Sequence, residues 1–155
     1  ERCFDLITQT AGRAGRGNVK GQVIIQTYNP EHYAVLSGIR QNYREFYDQE
    51  LIQRRELFYP PYAKLIKLTI QNENKDHAMD KALQLRTAFR KTFSNSANHQ
   101  IIGPAPSIIA NFRGVYRFNL LIKTVDLTIM HTFLQQNNLS TDSEVKIDIN
   151  PLNTM

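Results

Sequence analysis

The sequence predicts two parts of different fold class, the end of an α/β lobe followed by an α+β domain with the element order βαββαβ. Residues 22–27 form a nearly continuous apolar run, which is typical of a strand covered on both faces in a parallel sheet. After residue 62, runs with an apolar residue at every second position alternate with apolar stripes at helical spacing. We therefore predict a lobe end at 1–40, a connector at 41–62 and a C-terminal domain at 63–155.

The first part is predicted to be helical around one short strand. Helices are expected over 2–12, 31–38 and 42–57, and the strand over 22–27, after a turn at 17–21. The inward face of the first helix is formed by Phe4, Ile7 and Ala11. The residues at helical spacing on the third helix are Tyr43, Phe46, Tyr47, Glu50, Leu51 and Arg54. Tyr59-Pro-Pro-Tyr62 should end the third helix as a rigid turn, because proline cannot continue a helix.

The C-terminal part alternates strands and helices. Strands are predicted over 64–71, 101–110 (interrupted by Gly103-Pro-Ala-Pro106), 116–123 and 144–150, helices over 76–93 and 126–136, and a polar loop over 94–99. The apolar strand faces are Ile66, Leu68, Ile70; Phe118, Leu120, Ile122; and Val145, Ile147, Ile149. The inward helix stripes are Ala78, Ala82, Leu85, Phe89, Phe93; and Leu127, Met130, Leu134. This order is the ferredoxin-like arrangement, in which two helices cover one face of a four-stranded antiparallel sheet.

Composition and charge indicate which kinds of partner and environment the chain suits. The chain has 155 residues, 41% of them hydrophobic, and a net charge of +5, with eleven basic and seven acidic residues after residue 57. The basic excess favours a polyanionic partner, although solubility alone would also explain it. No apolar run approaches the ~20 residues of a membrane span. The single Cys3 agrees with a reducing cytoplasm, and the start within a predicted helix suggests the C-terminal piece of a longer protein.

One segment carries the pattern of a phosphate-recognition motif. Gln9-Thr-Ala-Gly-Arg-Ala-Gly-Arg16 places two arginines three residues apart, which is nearly one helical turn, so both side chains can point the same way. An arginine directed at a transferring γ-phosphoryl group accelerates transfer on the order of 10³–10⁵-fold. The alternative is a solvated basic turn. We predict Arg13 and Arg16 as catalytic residues that also bind nucleotide, together with Gln9 and Gly12.

Other chemistry has little support in the sequence. No Gly-x-x-x-x-Gly-Lys-[Ser/Thr] phosphate loop is present, and Pro30-Glu31-His32 lacks the Asp of a magnesium-binding Asp-Glu pair. Any ATP should therefore be held mainly outside this sequence. One cysteine and four separated histidines predict no metal site, and His131 is interpreted as structural.

A second segment interleaves arginines with aromatic residues. Asn111-Phe-Arg-Gly-Val-Tyr-Arg-Phe118 surrounds a glycine between two predicted strands. This pattern suits single-stranded nucleic acid, through stacking and phosphate pairing, and it also suits an acidic peptide with a C-terminal aromatic residue. A hairpin with core phenylalanines and solvated arginines is the third interpretation. The candidate residues for a DNA or protein partner are Arg113, Tyr116, Arg117 and Asn119.

Several segments together resemble a known protein family. Gln-x-x-Gly-Arg-x-Gly-Arg resembles motif VI of superfamily 2 helicases. The order and spacing of five later segments are similar to the C-terminal end of the primosomal protein N′ (PriA) family of replication-restart DNA helicases. These segments lie at residues 25–30, 59–61, 103–106, 116–118 and 147–152. The resemblance spans essentially the whole chain.

The resemblance implies an ATP-dependent 3′-to-5′ DNA helicase that acts at stalled forks and starts primosome assembly in the cytoplasm. It implies that residues 1–40 end a RecA-like helicase lobe 2, and that ATP with Mg²⁺ is held mainly by an upstream lobe. Structural zinc in this family binds upstream of the segment present here. The implied partners are forked and single-stranded DNA, single-stranded DNA-binding protein and other primosome proteins, with no membrane.

One departure from the family pattern concerns the site for single-stranded DNA-binding protein. The family often has Arg-Tyr-Arg-Trp-Gln where this chain has Val115-Tyr-Arg-Phe-Asn119, so only Arg117 and, as a substitute, Asn119 carry over. A different function therefore stays open, namely a non-catalytic DNA- or protein-binding module of another superfamily 2 translocase. The chain by itself is expected to lack ATPase activity.

Overall fold

A computed structural model describes residues 1–14, 21–93 and 98–151, except for the side chain of residue 129. The chain divides into two compact units, Glu1–Leu57 and Phe58–Met155. Across the described ranges, no helix combines the length and apolar character that crossing a membrane would need.

Among its described residues, the first unit contains three helices. They are α1 (Arg2–Ala11), α2 (Tyr33–Ile39) and α3 (Tyr43–Glu56), which confirms the three predicted helices. Phe4 of α1 stacks on Phe46 of α3 with ring centroids 4.4 Å apart, and Ala34 is buried beside them. Ile7 is also buried, as predicted. A small aromatic cluster therefore holds the three helices together.

A polar contact joins α2 to α3 next to this cluster. The hydroxyl of Tyr33 donates a hydrogen bond to Glu50 at 2.7 Å, and Arg54 Nε donates to the other oxygen of Glu50 at 2.8 Å. Burial raises the pKa of Tyr33 to about 12, and the hydrogen bond to Glu50 adds to the effect. The predicted spacing of Glu50 and Arg54 along α3 thus produces an ion pair between successive turns.

The predicted strand at 22–27 is wrong. These residues have no strand geometry, and Ile24 is 87% exposed. A strand needs neighbours to satisfy its N–H and C=O groups, and none of the described strands pairs with this segment. Most of the predicted turn at 17–21 and of the polar loop at 94–99 lies outside the described residues.

The second unit has the predicted order βαββαβ. Its elements are β1 (Lys64–Asn72), α4 (Lys75–Thr92), β2 (His99–Phe112), β3 (Val115–Thr124), α5 (Leu127–Gln136) and β4 (Val145–Ile149). The strands lie in the order β2-β3-β1-β4, and every neighbouring pair is antiparallel. The second unit is therefore an α+β fold with a four-stranded antiparallel sheet.

The apolar core lies between one face of this sheet and the two helices. Ile66, Leu68 and Ile70 of β1 are almost completely buried, as are Leu120 and Ile122 of β3. The helices contribute most of the predicted α4 stripe and part of the α5 stripe: Ala78, Ala82, Leu85, Phe89, Met130 and Leu134, together with Phe133, which the prediction omitted. Phe93, which the prediction included, follows the last residue of α4 and is partly buried against this core. The face of the sheet that packs against the helices is therefore shielded from solvent.

Two residues predicted to face the core are exposed. Leu127 is 38% exposed and Ile149 is 55% exposed. Leu127 is the first residue of α5, and Ile149 is the last residue of β4, which is an edge strand. Elements at the border of the packed layer lack a neighbour to cover their terminal side chains.

Strand β2 continues through the segment that was predicted to interrupt it. Its pairing with β3 shifts register between Ile102 and Ala105, and again between Pro106 and Asn111. Because β2 is an edge strand, it tolerates prolines that cannot donate to a neighbour. Gly103 has a φ of +104°, which a side chain would disfavour.

An ion cluster ties α4 to the segment that leads into β4. Lys81 Nζ lies 2.6 Å from Asp142 Oδ2 and 2.5 Å from Glu144 Oε2. Asn72 donates a further hydrogen bond to Glu144. The hydrogen bond from Lys81 lowers the pKa of Glu144; for Asp142, burial would raise the pKa, but the bonds from Lys81 and the Glu144 backbone outweigh it. Both carboxylates are thus stabilised in their charged form.

Replacement of Gly103 by Ala should destabilise the chain more than the same change at Gly114. A Cβ at Gly103 would lie 2.5 Å from the backbone oxygen of Asn119, whereas a Cβ at Gly114 has no neighbour within 4 Å. Both glycines have positive φ, so Gly114→Ala isolates the conformational cost, about 1 kcal/mol. We expect Gly103→Ala to cost at least ~1 kcal/mol more in urea unfolding, and equal losses would contradict the close approach.

Replacement of Glu144 by Gln should reduce stability by about 1 kcal/mol at neutral pH and have less effect in acid. Because the folded-state pKa values of Asp142 and Glu144 lie below their ordinary values of 3.8 and 4.5, the stabilisation is present above those values and is lost as the pH falls through the folded values. Unfolding curves between about pH 3 and pH 7 measure this. Asp80→Asn, which removes an exposed carboxylate on α4, is the control. If Glu144→Gln lowered the free energy of unfolding equally at every pH, the ion cluster would be refuted.

Candidate functional site

The arginine motif begins on the outer surface of α1. The side chains of Phe4 and Ile7 are buried and anchor α1, while Gln9, Gly12 and Arg13 are exposed. Gly12 ends the helix in a right-handed conformation, and its N–H donates to the oxygen of Thr8 at 2.9 Å. Arg16 lies outside the described residues, so its orientation relative to Arg13 stays a prediction. The described part of the motif is open to a ligand from outside this chain.

The second candidate site is the β2–β3 hairpin. Its two central residues, Arg113 and Gly114, have φ values of 54° and 85°, as a tight hairpin turn requires. Asn111 Oδ1 accepts a hydrogen bond from the Gly114 N–H at 3.1 Å and thereby holds the turn. The local sequence Asn-Phe-Arg-Gly therefore fixes the position at which Arg113 projects.

Two arginines share one aromatic ring at this hairpin. The Cζ atom of Arg113 lies 5.2 Å from the ring centroid of Phe112, and that of Arg117 lies 5.3 Å from the same centroid. Phe112 is 46% exposed, so the ring belongs to the surface and not to the core. Each contact is a cation–π interaction, and together they place two guanidinium groups around one surface ring. A guanidinium group can bind a carboxylate or a phosphate.

The guanidinium of Arg117 is incompletely satisfied. Its Nε is buried, and no acceptor for it is found among the described residues. A buried donor without a partner costs about 1–3 kcal/mol. Arg117 itself is partly exposed and lies against the Phe112 ring, so the rest of its guanidinium is available to an anion.

The structure separates the four candidate partner residues. Arg117 and Asn119 lie on the sheet face opposite the helices, because Phe118 and Leu120 between and beside them are in the core. Tyr116 lies on the other face and packs against the core. Asn119 is buried, and its Oδ1 accepts hydrogen bonds from Thr69 and Ser107, both at 2.9 Å. The accessible site is thus formed by Arg113 and Arg117 around Phe112.

A buried lysine on the same sheet face was missed by sequence reasoning. Lys123 is 4% exposed, and its Nζ lies 3.7 Å from the ring centroid of Tyr59. Burial lowers the pKa of Lys123. The period of two along β3 already placed Lys123 on the face of Arg117 and Asn119, but only the fold shows that Tyr59 covers it.

Metal ligands do not cluster in the part of the chain that the structure describes. No group of three or more His, Cys, Asp or Glu side chains there is arranged to hold a metal ion. Cys3 is exposed on α1.

Comparison with known proteins identifies the family. Residues 55–152 match the profile of the primosomal protein N C-terminal domain. The replication restart protein PriA of Treponema pallidum (strain Nichols) is 33% identical over 159 residues, covering 100% of this chain and 24% of that protein. The replication restart protein PriA of Synechocystis is 42% identical over 123 residues, covering 79% of this chain and 15% of the relative.

A third relative gives the same result. The replication restart protein PriA of Bacillus subtilis (strain 168) is 36% identical over 136 residues, which cover 88% of this chain and 17% of that protein. The chain therefore spans between 15% and 24% of the length of these curated relatives. The matched residues 55–152 contain the whole described sheet, both of its helices and the arginine hairpin. The chain belongs to the primosomal protein N C-terminal domain family.

Proposed function

We propose that the chain is the C-terminal part of an ATP-dependent 3′-to-5′ DNA helicase that restarts stalled replication forks and initiates primosome assembly. The observation that carries the proposal is the alignment with the Treponema replication restart protein, which extends over 100% of this chain and so includes the arginine motif. The role in replication restart rests on the names of the relatives. Helicase activity and its polarity rest on the resemblance of the motif to superfamily 2.

In this proposal, residues 1–40 complete a RecA-like lobe. Exposure of Gln9 and Arg13 on α1 is what a half-site requires, because ATP and Mg²⁺ are held by the opposite lobe. Arg13 and Arg16 would then stabilise charge on the transferring phosphoryl group, and Gln9 would couple the nucleotide state to lobe closure.

The hairpin supports a second, non-catalytic role in the same protein. Arg113 and Arg117 flank Phe112 at distances of 5.2 and 5.3 Å, and Arg117 Nε has no acceptor among the described residues. This arrangement suits the phosphates of forked or single-stranded DNA, and equally the acidic tail of single-stranded DNA-binding protein, with other primosome proteins as further partners. Val115 and Asn119 replace the Arg and Gln of the family pattern, so a tail would depend chiefly on Arg117 and Arg113.

Single replacement of Arg13 or Arg16 by Ala in the full-length protein should lower DNA-stimulated ATP hydrolysis by about 10³-fold or more. The physical reason is the loss of a cation that faces the developing phosphoryl charge. Arg2→Ala, also exposed on α1, is the matched control and should leave turnover within about threefold. Turnover retained within about threefold in the motif variants would disprove the catalytic role. Measurable ATPase activity of the 155-residue chain alone would also contradict the half-site.

Joint replacement of Arg113 and Arg117 by Gln should weaken binding of the hairpin ligand about tenfold or more, because two charge-assisted contacts are lost. Binding is measured by fluorescence anisotropy with two probes, forked DNA and an acidic peptide that ends in phenylalanine. The control is Arg90→Gln with Lys91→Gln, two exposed cations on α4. A folded chain that binds neither probe at low salt would end the binding role.

A further inference from the structure

The charges of the second unit are distributed unevenly between its two layers. The strands and the hairpin turn hold six basic residues and one acidic residue: Lys64, Lys67, Arg113, Arg117, Lys123 and Lys146, against Asp148. The helices and their flanking turns hold five basic and six acidic residues: Lys75, Lys81, Arg86, Arg90 and Lys91, against Glu73, Asp76, Asp80, Asp126, Asp142 and Glu144. The basic excess of this unit therefore lies entirely in the sheet layer.

Most of the sheet-layer cations are on the face that the helices leave uncovered. Lys67 alternates with the buried Ile66 and Leu68 on β1, so it points away from the core. Lys146 lies opposite Thr69, on the same face. Arg117 lies opposite Gln71 on that face as well. The three cations occupy three neighbouring strands, β4, β1 and β3.

Uncharged polar groups lie beside Lys146, whereas Lys67 lies opposite the buried Leu121. Thr69 and Asn119 lie between Lys146 and β2 in one cross-strand row, and they are hydrogen-bonded to each other at 2.9 Å. Asp148 is the single carboxylate on the strands, and it lies opposite Lys67. A polar surface with a net positive charge is suited to a polyanion and poorly suited to an apolar partner.

The helix-free face carries no aromatic side chain on its two central strands. Its residues there are Leu65, Lys67, Thr69 and Gln71, and Arg117, Asn119, Leu121 and Lys123, of which Leu65, Asn119, Leu121 and Lys123 are buried. Aromatic rings lie at the border of this face, where Phe112 contacts Arg117 and Tyr59 covers Lys123. Along β1 and β4, which carry no aromatic residue on this face, a ligand would therefore be held through its phosphates, without sequence preference.

We infer that the helix-free face of the sheet binds the phosphate backbone of DNA, with Lys67 and Lys146 as contact residues that extend the site from Arg117 at the hairpin across β1 to β4. The inference rests on the proposed DNA-binding role and names the surface that performs it. Lys123 is buried beneath Tyr59, so it adds to the local positive potential and does not contact the ligand.

The test compares two pairs of lysines with equal charge. Lys67→Gln with Lys146→Gln removes two cations from the uncovered face, and Lys75→Gln with Lys91→Gln removes two exposed cations from α4. Binding of the 155-residue chain to a fluorescent forked DNA is measured by anisotropy over a series of salt concentrations. Thermal melting confirms that each variant is folded.

The sheet-face pair should weaken binding about tenfold at about 0.1 M salt and should reduce the slope of log K against log salt by about 1.5. The α4 pair should stay within about twofold of the unmodified chain, with an unchanged slope. Asp148→Asn should strengthen binding, because it removes the one carboxylate of the face.

Equal weakening by the two pairs, or greater weakening by the α4 pair, would overturn the inference while DNA binding by the chain stands. An acidic peptide that binds with dependence on Lys67 and Lys146, together with DNA binding that is insensitive to them, would also overturn it and assign the face to a protein. A folded, unmodified chain that does not bind DNA at low salt would refute the proposed DNA-binding role and this inference together.

Discussion

The pairing of β1 with β3 is the constraint on which the rest of the second unit depends. Nine residue pairs, from Lys64 with Thr124 to Asn72 with Tyr116, hold these central strands in one register. Because side chains alternate along a strand, this register places Ile66, Leu68 and Ile70 beside Leu120 and Ile122 on one face. A shift of one residue would exchange the apolar face with the charged face and would expose the core to water.

The same register separates the structural residues of the hairpin from the residues available to a ligand. Tyr116 belongs to the core face, whereas Arg117 belongs to the uncovered face, although the two are adjacent in sequence. Arg113 projects from the turn, and both Arg113 and Arg117 contact the ring of Phe112. The alternation of side chains that builds the core therefore also places the candidate anion-binding residues on the opposite face. That face extends from the hairpin across β1 to β4.

Sequence reasoning succeeded where a pattern depends on neighbours along the chain. The helices around Phe4, Phe46 and Phe89 and the apolar face of β1 were predicted because periods of 3.6 and two residues are local properties. It failed at 22–27, where an apolar run predicted a strand but the described residues supply no partner strand. It also failed at Leu127 and Ile149, whose exposure depends on where the packed layer ends.

By itself, the sequence determined the element order βαββαβ, most of the core and the two arginine-containing segments, because these follow from composition and spacing. Only the tertiary structure decided which strands are neighbours, that β2 runs through its prolines at an edge, and that Tyr59 covers Lys123. It also decided that Lys67, Arg117 and Lys146 share one face, although 78 residues lie between the first and the last. These outcomes depend on contacts between residues far apart in the chain, and a local pattern carries no information about such contacts.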